Sequence, residues 1–462
     1  MIRDDIHLNE NWTTDNNGYP LLNDEVQRYI QVVPSKSQLR NAAKPFYAFL
    51  HFGMNTATDR EWGNASETVA DFTIKEIDAE QWIAAIKGSG ATGVILTCKH
   101  HDGFCLWDTN YTDFSVMNSP YGKDIVRQVA DACKKEGMDF GIYLSPWDMH
   151  EKTYATPAYN DYFCNQLIEL LSCYGEIFEV WFDGAKGAEA REFDYDWGRY
   201  YEIVRRLQPN ANISICGSDL RWVGNEAGKT RAAEFSVVPE YLTCAEIVQK
   251  NSQHSEGEAS ELKKLTSKDE DLGSRKVLQK EKKLHWYPAE VDVSIRKGWF
   301  YHEGENGTVK SAEELFDIYL NSVGNNCSLL LNVPPSKKGV IHPIDVRALC
   351  ELGEKIGAIE KNPILVEHPG ELNKQQGYLE YQFGERRRIT YCVLEEDITK
   401  SQRVEAFDLY LQMEDKTYQM VYSGTVIGSK KIIKADAEAI GAVLVIRQSR
   451  SVPCLSKVGY YE

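Results

Sequence analysis

The chain has 462 residues, enough to bury one large core and leave material for a second domain. Its 52 Lys+Arg against 69 Asp+Glu give a formal net charge of -17, which repels phosphate backbones and anionic lipid and excludes nucleic acid and membrane surfaces as natural partners. Aromatic residues make up 11%, with Trp 10 and Tyr 25, a supply of flat amphipathic rings suited to stacking on neutral ligands such as carbohydrate.

The first residues, Met-Ile-Arg-Asp-Asp-Ile-His-Leu-Asn-Glu, are polar and lack the apolar stretch of a secretory signal. No apolar run reaches the roughly 18 residues that span a bilayer, so the expectation is a soluble, cytoplasmic protein. The 11 cysteines form no Cys-x-x-Cys pair and read as reduced thiols rather than a zinc ribbon or a disulfide framework.

Short apolar runs at Pro45–Gly53, Ala91–His100, Met138–Ser145, Glu176–Asp183 and Ile213–Gly217 read as strands. Helical patterns separate them at Ala79–Lys87, Ile125–Glu136, Asp161–Cys173 and Gly198–Leu207. Further strands are expected at Trp286–Val293 and Ser328–Val333, then a helix over Asp345–Ile359, with Val237–Leu242 as a weak eighth strand. Strands alternating with helices predict an α/β fold, a (β/α)8-like barrel with one irregular segment. Between Gln249 and Lys283 the chain turns Ser-, Glu- and Lys-rich without period, which reads as a long solvated insertion. After Pro363 the helical rhythm stops. Runs at Ile389–Leu394, Val404–Leu411, Tyr418–Tyr422 and Ala442–Arg447 predict a small all-β sandwich. The expected division is a barrel over 1–362 and a sandwich over 363–462.

The most telling run is Phe178-Glu-Val-Trp-Phe-Asp-Gly184, a buried strand closing on a carboxylate. Alternation points Trp181 and Asp183 the same way, an aromatic plate beside an acid, which suits a sugar ring. Other strands also end on polar or aromatic residues: His51, then His100, His101 and Asp102, then Tyr143 and Trp147. In a barrel of this kind the carboxyl ends of the strands form the active face. The His pair beside Asp102 also admits a metal site, though without the helical His-x-x-x-His spacing, or a structural role. A glycosidase needs two carboxyl groups facing one bond. After the fifth strand, Ser218–Gly228 offers Asp219 and Glu226 as the second acid. Glu226 is favoured because Gly224 and Gly228 flank it and permit close approach of backbone to ligand.

Together, His51-Phe-Gly53, Glu61-Trp62, Lys99-His-His-Asp-Gly-Phe104, Gly141-Ile-Tyr-Leu-Ser145 and Glu179-Val-Trp-Phe-Asp-Gly184 resemble the α-L-fucosidases of glycoside hydrolase family 29. Arg221–Glu226, Trp286–Ser294 and Gly298-Trp-Phe-Tyr-His302 resemble the branch that cleaves α-1,3/1,4-linked fucose from branched glycans. The resemblance implies a retaining exo-glycosidase without cofactor or metal, acting on a fucosylated oligosaccharide. Asp183 matches the nucleophile and Glu226 the acid/base. His51, Glu61, Trp62, His100, His101, Tyr143, Trp181 and Trp299 match the sugar pocket. A non-catalytic fucose-binding protein, a metal-dependent hydrolase built on His100, His101 and Asp102, or an α-L-fucosidase acting on α-1,2 or α-1,6 linkages are the alternatives.

Overall fold

The computed structural model describes residues 24–190, 193–252, 265–372 and 377–462. Five parallel strands form in the expected order: β1 Phe46–Leu50, β2 Gly93–Lys99, β3 Asp139–Leu144, β4 Glu179–Phe182 and β5 Asn212–Ile215. They are buried on both faces, which is why they read as continuous apolar runs. Side chains alternate between two cores. Phe46, Ala48 and Leu50 face the outer layer between strands and helices, whereas Tyr47, Phe49, Ile95, Tyr143, Trp181 and Leu330 fill the barrel interior.

The helices at Ala79–Gly88, Ile125–Glu136, Pro157–Cys173 and Trp197–Leu207 form where the sequence places them. Local signals set their starts: the Asp124 carboxylate accepts from the Arg127 amide at 2.7 Å, and Pro157 sits in the first turn.

The eighth strand is not the expected one. β6 is the two-residue Arg221–Trp222, inside the stretch read as a loop, and it joins the barrel parallel to β9 (Ala289–Ser294). β7 (Val237–Pro239) leaves the barrel and pairs antiparallel with β8 (Leu284–Trp286) as a separate ribbon. The predicted strand Trp286–Val293 therefore splits, and only β9 (Ala289–Ser294) enters the barrel, beside β10 (Ser328–Asn332). The barrel order is β5-β4-β3-β2-β1-β10-β9-β6, with a Ser214–Leu220 bridge between its two ends. No crossover helix separates β5 from β6. A tight turn replaces it: Ile215 adopts φ 64, and the Asp219 carboxylate accepts from the Ile213 amide at 2.7 Å and from Arg205 Nη2 at 2.6 Å. Asp219 thereby braces the backbone, which explains an acid at this position without chemistry.

The expected solvated insertion is also partly structured. Residues 253–264 lie outside the described residues, but Leu272 and Leu278 are buried and Arg275 Nε donates to Glu405 Oε2 at 2.6 Å. Lacking period, these apolar residues gave no sequence signal of packing.

After the helix Pro343–Ala358 comes an antiparallel seven-stranded sheet: β11 Pro363–Glu367, β12 Gly370–Glu371, β13 Tyr378–Glu396, β14 Val404–Gln412, β15 Tyr418–Gly424, β16 Lys431–Ser449 and β17 Cys454–Tyr461. β13 and β16 run 19 residues each and shift register at bulges, which bend strands around a core. That core holds Ile389, Phe407, Leu409, Leu444 and Tyr460. Asn326 and Lys430 tie this sheet to the barrel, through Ser429 N at 2.7 Å and Glu360 at 3.1 Å. Among the described residues no helix is long and apolar enough to cross a membrane.

Candidate active site

The carboxyl ends of the barrel strands surround a cavity of about 910 Å³. His51, Glu61, Trp62, His100, His101, Trp181, Asp183, Glu226 and Trp299 line it; Tyr143, expected in the sugar pocket, does not. Tyr143 stands behind the wall, stacked on Trp181 at 5.4 Å, and donates its hydroxyl to Asp183 Oδ2 at 2.9 Å. Asp183 Oδ1 accepts from the Ala185 amide at 2.7 Å. Both oxygens are therefore held, which fixes the direction of the carboxylate.

Glu226 reaches the same cavity from the loop after β6. Trp299 Nε1 donates to its Oε2 at 3.4 Å. Burial raises the Glu226 carboxyl above its usual range; the Trp299 bond opposes this and the Asp183 charge adds to it. Two acids in one cavity, one turned toward the neutral form by its surroundings, are what proton transfer to a leaving group requires. Asp102 does not line the cavity. Its Oδ1 accepts from the Phe104 amide at 2.7 Å, and burial pushes its carboxyl up to about 7.

Burial favours the neutral form of all three imidazoles, and their neighbours dictate which nitrogen then carries the proton. Ser145 donates its one hydroxyl proton to Trp147 O at 2.7 Å, so its oxygen must accept from His101 Nδ1, also at 2.7 Å. Asn332 Nδ2 donates to Ser294 Oγ and Trp299 O at 2.9 and 2.8 Å, which turns Oδ1 toward His51 Nδ1 at 2.9 Å. His51 and His101 thus keep Nε2 as an acceptor. Asn55 Nδ2, which also donates to Glu61 O, meets His100 Nδ1 at 3.4 Å, leaving His100 Nε2 as a donor. Burial holds His51 down at about 3 and keeps His100 well below its usual value. Burial also lowers His101, against the pull of Asp183, whose Oδ2 lies 4.0 Å from Nε2.

Glu61 organises the opposite wall. Its oxygens accept from the Trp299 and Phe300 amides at 2.9 and 3.1 Å and from His302 Nε2 at 2.7 Å. A Cβ at Gly298 would meet Glu61 Oε1 at 2.3 Å, so glycine is required for the loop to close on the carboxylate. Trp62 is 57% exposed at the rim, edge-on to His101 and Trp147.

Gly224 is the second glycine with a structural reason. It has φ +109, and an added Cβ would lie 2.2 Å from Ser267 O, because the segment after residue 264 packs on the loop that carries Glu226. Gly224→Ala should cost about 1–3 kcal/mol of stability, read from urea unfolding, and displace Glu226.

Sequence reasoning missed Asp292, Trp222, Phe300, Glu246 and Gln249, which also line the cavity. Asp292 had a signal: Glu290, Asp292 and Ser294 alternate along β9 as Glu179, Trp181 and Asp183 do along β4. Trp222 Nε1 donates to Asp292 Oδ1 at 2.8 Å. Burial, then the charges of Glu226 and Glu290, raise the Asp292 carboxyl well above its usual range.

Comparison with known proteins bears on the same residues. The profile of the Alpha-L-fucosidase family matches residues 51–358. Alpha-L-fucosidase 1 of Arabidopsis thaliana is 35% identical over 93% of this chain and 87% of its own. A crystal structure from Bacteroides ovatus ATCC 8483 shares 41% identity at TM-score 0.86, covering 96% of this chain and 77% of that one. The Ruminococcus gnavus GH29 fucosidase E1_10125, solved in complex with fucose, aligns at TM-score 0.79 and 29% identity over 93% of this chain and 95% of its own.

Proposed function

Because the chain belongs to the α-L-fucosidases of glycoside hydrolase family 29, we propose that it releases α-1,3/1,4-linked fucose from branched, Lewis-type oligosaccharides by a retaining double displacement. It is a glycoside hydrolase acting on fucosylated substrates; the linkage, the mechanism and the roles of individual residues are the proposal. The observation that carries the mechanism is the convergence on one cavity of Asp183, both of whose oxygens are hydrogen-bonded, and Glu226, which burial raises.

In this reading Asp183 attacks the anomeric carbon while protonated Glu226 gives its proton to the departing glycosidic oxygen. Glu226, now a base, takes a proton from water, which attacks the ester and frees fucose with its configuration retained. His51 and His101 accept from sugar hydroxyls through Nε2 and His100 donates through its own, a pattern that penalises sugars with a hydroxyl missing or misplaced. The rings of Trp181, Phe49 and Trp299 supply an apolar wall for the methyl of a 6-deoxy sugar.

A cavity of about 910 Å³ exceeds what one sugar ring fills. Its lining also includes Lys186, Asp194, Glu246 and Gln249, and Trp62 is exposed. This supports a substrate with further sugars beyond the fucose. Hydrolysis of Lewis a, Lewis x and 2′-fucosyllactose side by side tests the linkage: cleavage of the first two with little of the third is expected, and preference for the third would refute it.

The tautomer pattern is testable through Asn332. Asn332→Asp removes the two amide N–H bonds and places a carboxylate against His51 Nδ1, favouring the imidazolium, whose Nε2 donates instead of accepting. kcat/KM should fall roughly 10- to 100-fold, with the His51 pKa rising in an NMR titration.

A further inference from the structure

Beneath the cavity floor, inside the barrel, Glu179 of β4 and Glu290 of β9 face each other with no solvent exposure. Among the described residues neither pairs with a lysine or arginine. Glu290 is ringed by donors: Trp181 Nε1 reaches Oε1 at 2.8 Å, and the Tyr47 hydroxyl reaches Oε2. Tyr47 is itself held by Asn41 Nδ2 at 3.1 Å. Glu179 Oε1 accepts from Ser214 Oγ at 2.7 Å, but Glu179 Oε2 has no donor.

Two adjacent buried carboxylates without a cation do not both ionise. Burial and then the charge of Glu290 drive the Glu179 carboxyl well above its usual range. A proton on Glu179 Oε2, given in a hydrogen bond to Glu290, satisfies the orphaned oxygen and supplies Glu290 with a third donor. An apolar residue at position 290 would leave the indole N–H unpaired and Trp181 free to swing.

We propose that Glu179 and Glu290, sharing one proton, form a positioning unit that locks the Trp181 indole as the floor of the sugar pocket, with Glu290 the anionic acceptor and Glu179 its neutral donor. Neither touches substrate. Both act through Trp181, two residues before Asp183 on the same face of β4, so the inference rests on the reading that Trp181 contacts the sugar.

The two acids should respond differently to amide substitution. Glu290→Gln offers one acceptor oxygen to three donors and sets an NH2 against one of them; kcat/KM on an aryl fucoside should fall about tenfold or more, and the fucose inhibition constant should rise. Glu179→Leu should lose a similar factor, whereas Glu179→Gln, whose amide donates as the acid did, should restore activity to within about threefold of wild type. Trp181→Phe lacks the indole N–H, so the Glu290→Gln penalty should shrink in that background. An undiminished penalty there, or equal activities for Glu179→Leu and Glu179→Gln, would overturn the positioning role. If Trp181→Phe impairs turnover while Glu290→Gln does not, the inference fails and the pocket reading stands. If Trp181→Phe leaves both kcat/KM and fucose binding intact, the pocket reading itself fails. Should Glu290→Gln not fold, the two Glu179 variants carry the comparison.

Discussion

Asp183→Asn should hydrolyse an aryl α-L-fucoside on the order of 10⁴-fold more slowly than the parent, with fucose affinity kept within about an order of magnitude. The side chain is isosteric: its one oxygen can still accept from the Ala185 amide, and its NH2 can donate to the Tyr143 hydroxyl, which turns to accept, so the pocket survives while the carboxylate does not. The smaller Asp183→Gly variant leaves room for an external anion. If Asp183 forms the ester, azide should restore turnover and yield β-L-fucosyl azide, the inverted product, because one displacement replaces two. Near-parental activity in Asp183→Asn, or a trapped fluoro-fucosyl adduct on another side chain, would remove Asp183 from the role.

Glu226→Gln should produce a loss that depends on the leaving group: about 10²- to 10⁴-fold on an oligosaccharide, whose departing oxygen needs a proton, and much less in the first step with an activated phenol. Azide should accelerate this variant too, giving the α-azide with retained configuration, since the ester still forms on Asp183 and azide only replaces water. Opposite products from the two variants separate the roles of two acids that share one cavity. The pH profile follows from the same group. Burial raises Glu226, and the proposed mechanism needs it protonated, so kcat/KM should fall as pH rises through this elevated pKa. In Glu226→Gln that alkaline limb should disappear. A limb unchanged by the substitution would assign it to another group, with Asp292 the first candidate because it lines the same cavity and its carboxyl is also raised.

Much of the site was legible because strand periodicity is local. A strand of alternating faces places Glu179, Trp181 and Asp183 on one side whatever the rest of the chain does, and the barrel then aims that side inward. The same rule points to Asp292 on β9, but the expected strand Trp286–Val293 spans Pro288, where the backbone breaks into two strands. The sequence offers both Asp219 and Glu226 as the second acid and favours Glu226 only through its flanking glycines. The structure separates them: Asp219 is consumed by the turn after β5, while Glu226 opens on the cavity.

What the sequence determined alone was the class of fold, the identity of most strands and helices, and the face on which Asp183 lies, since each depends on residues within a few positions of one another. Tertiary structure decided the closing strand, because Arg221–Trp222 is too short to carry a period and exists only by pairing with β9. It also decided which imidazole nitrogens are protonated, what burial and neighbouring charge do to Glu226, and that Glu290 meets Glu179 and Trp181 across the barrel. Proton positions and pKa values are set by partners distant in the chain, and no local pattern records which partners those will be.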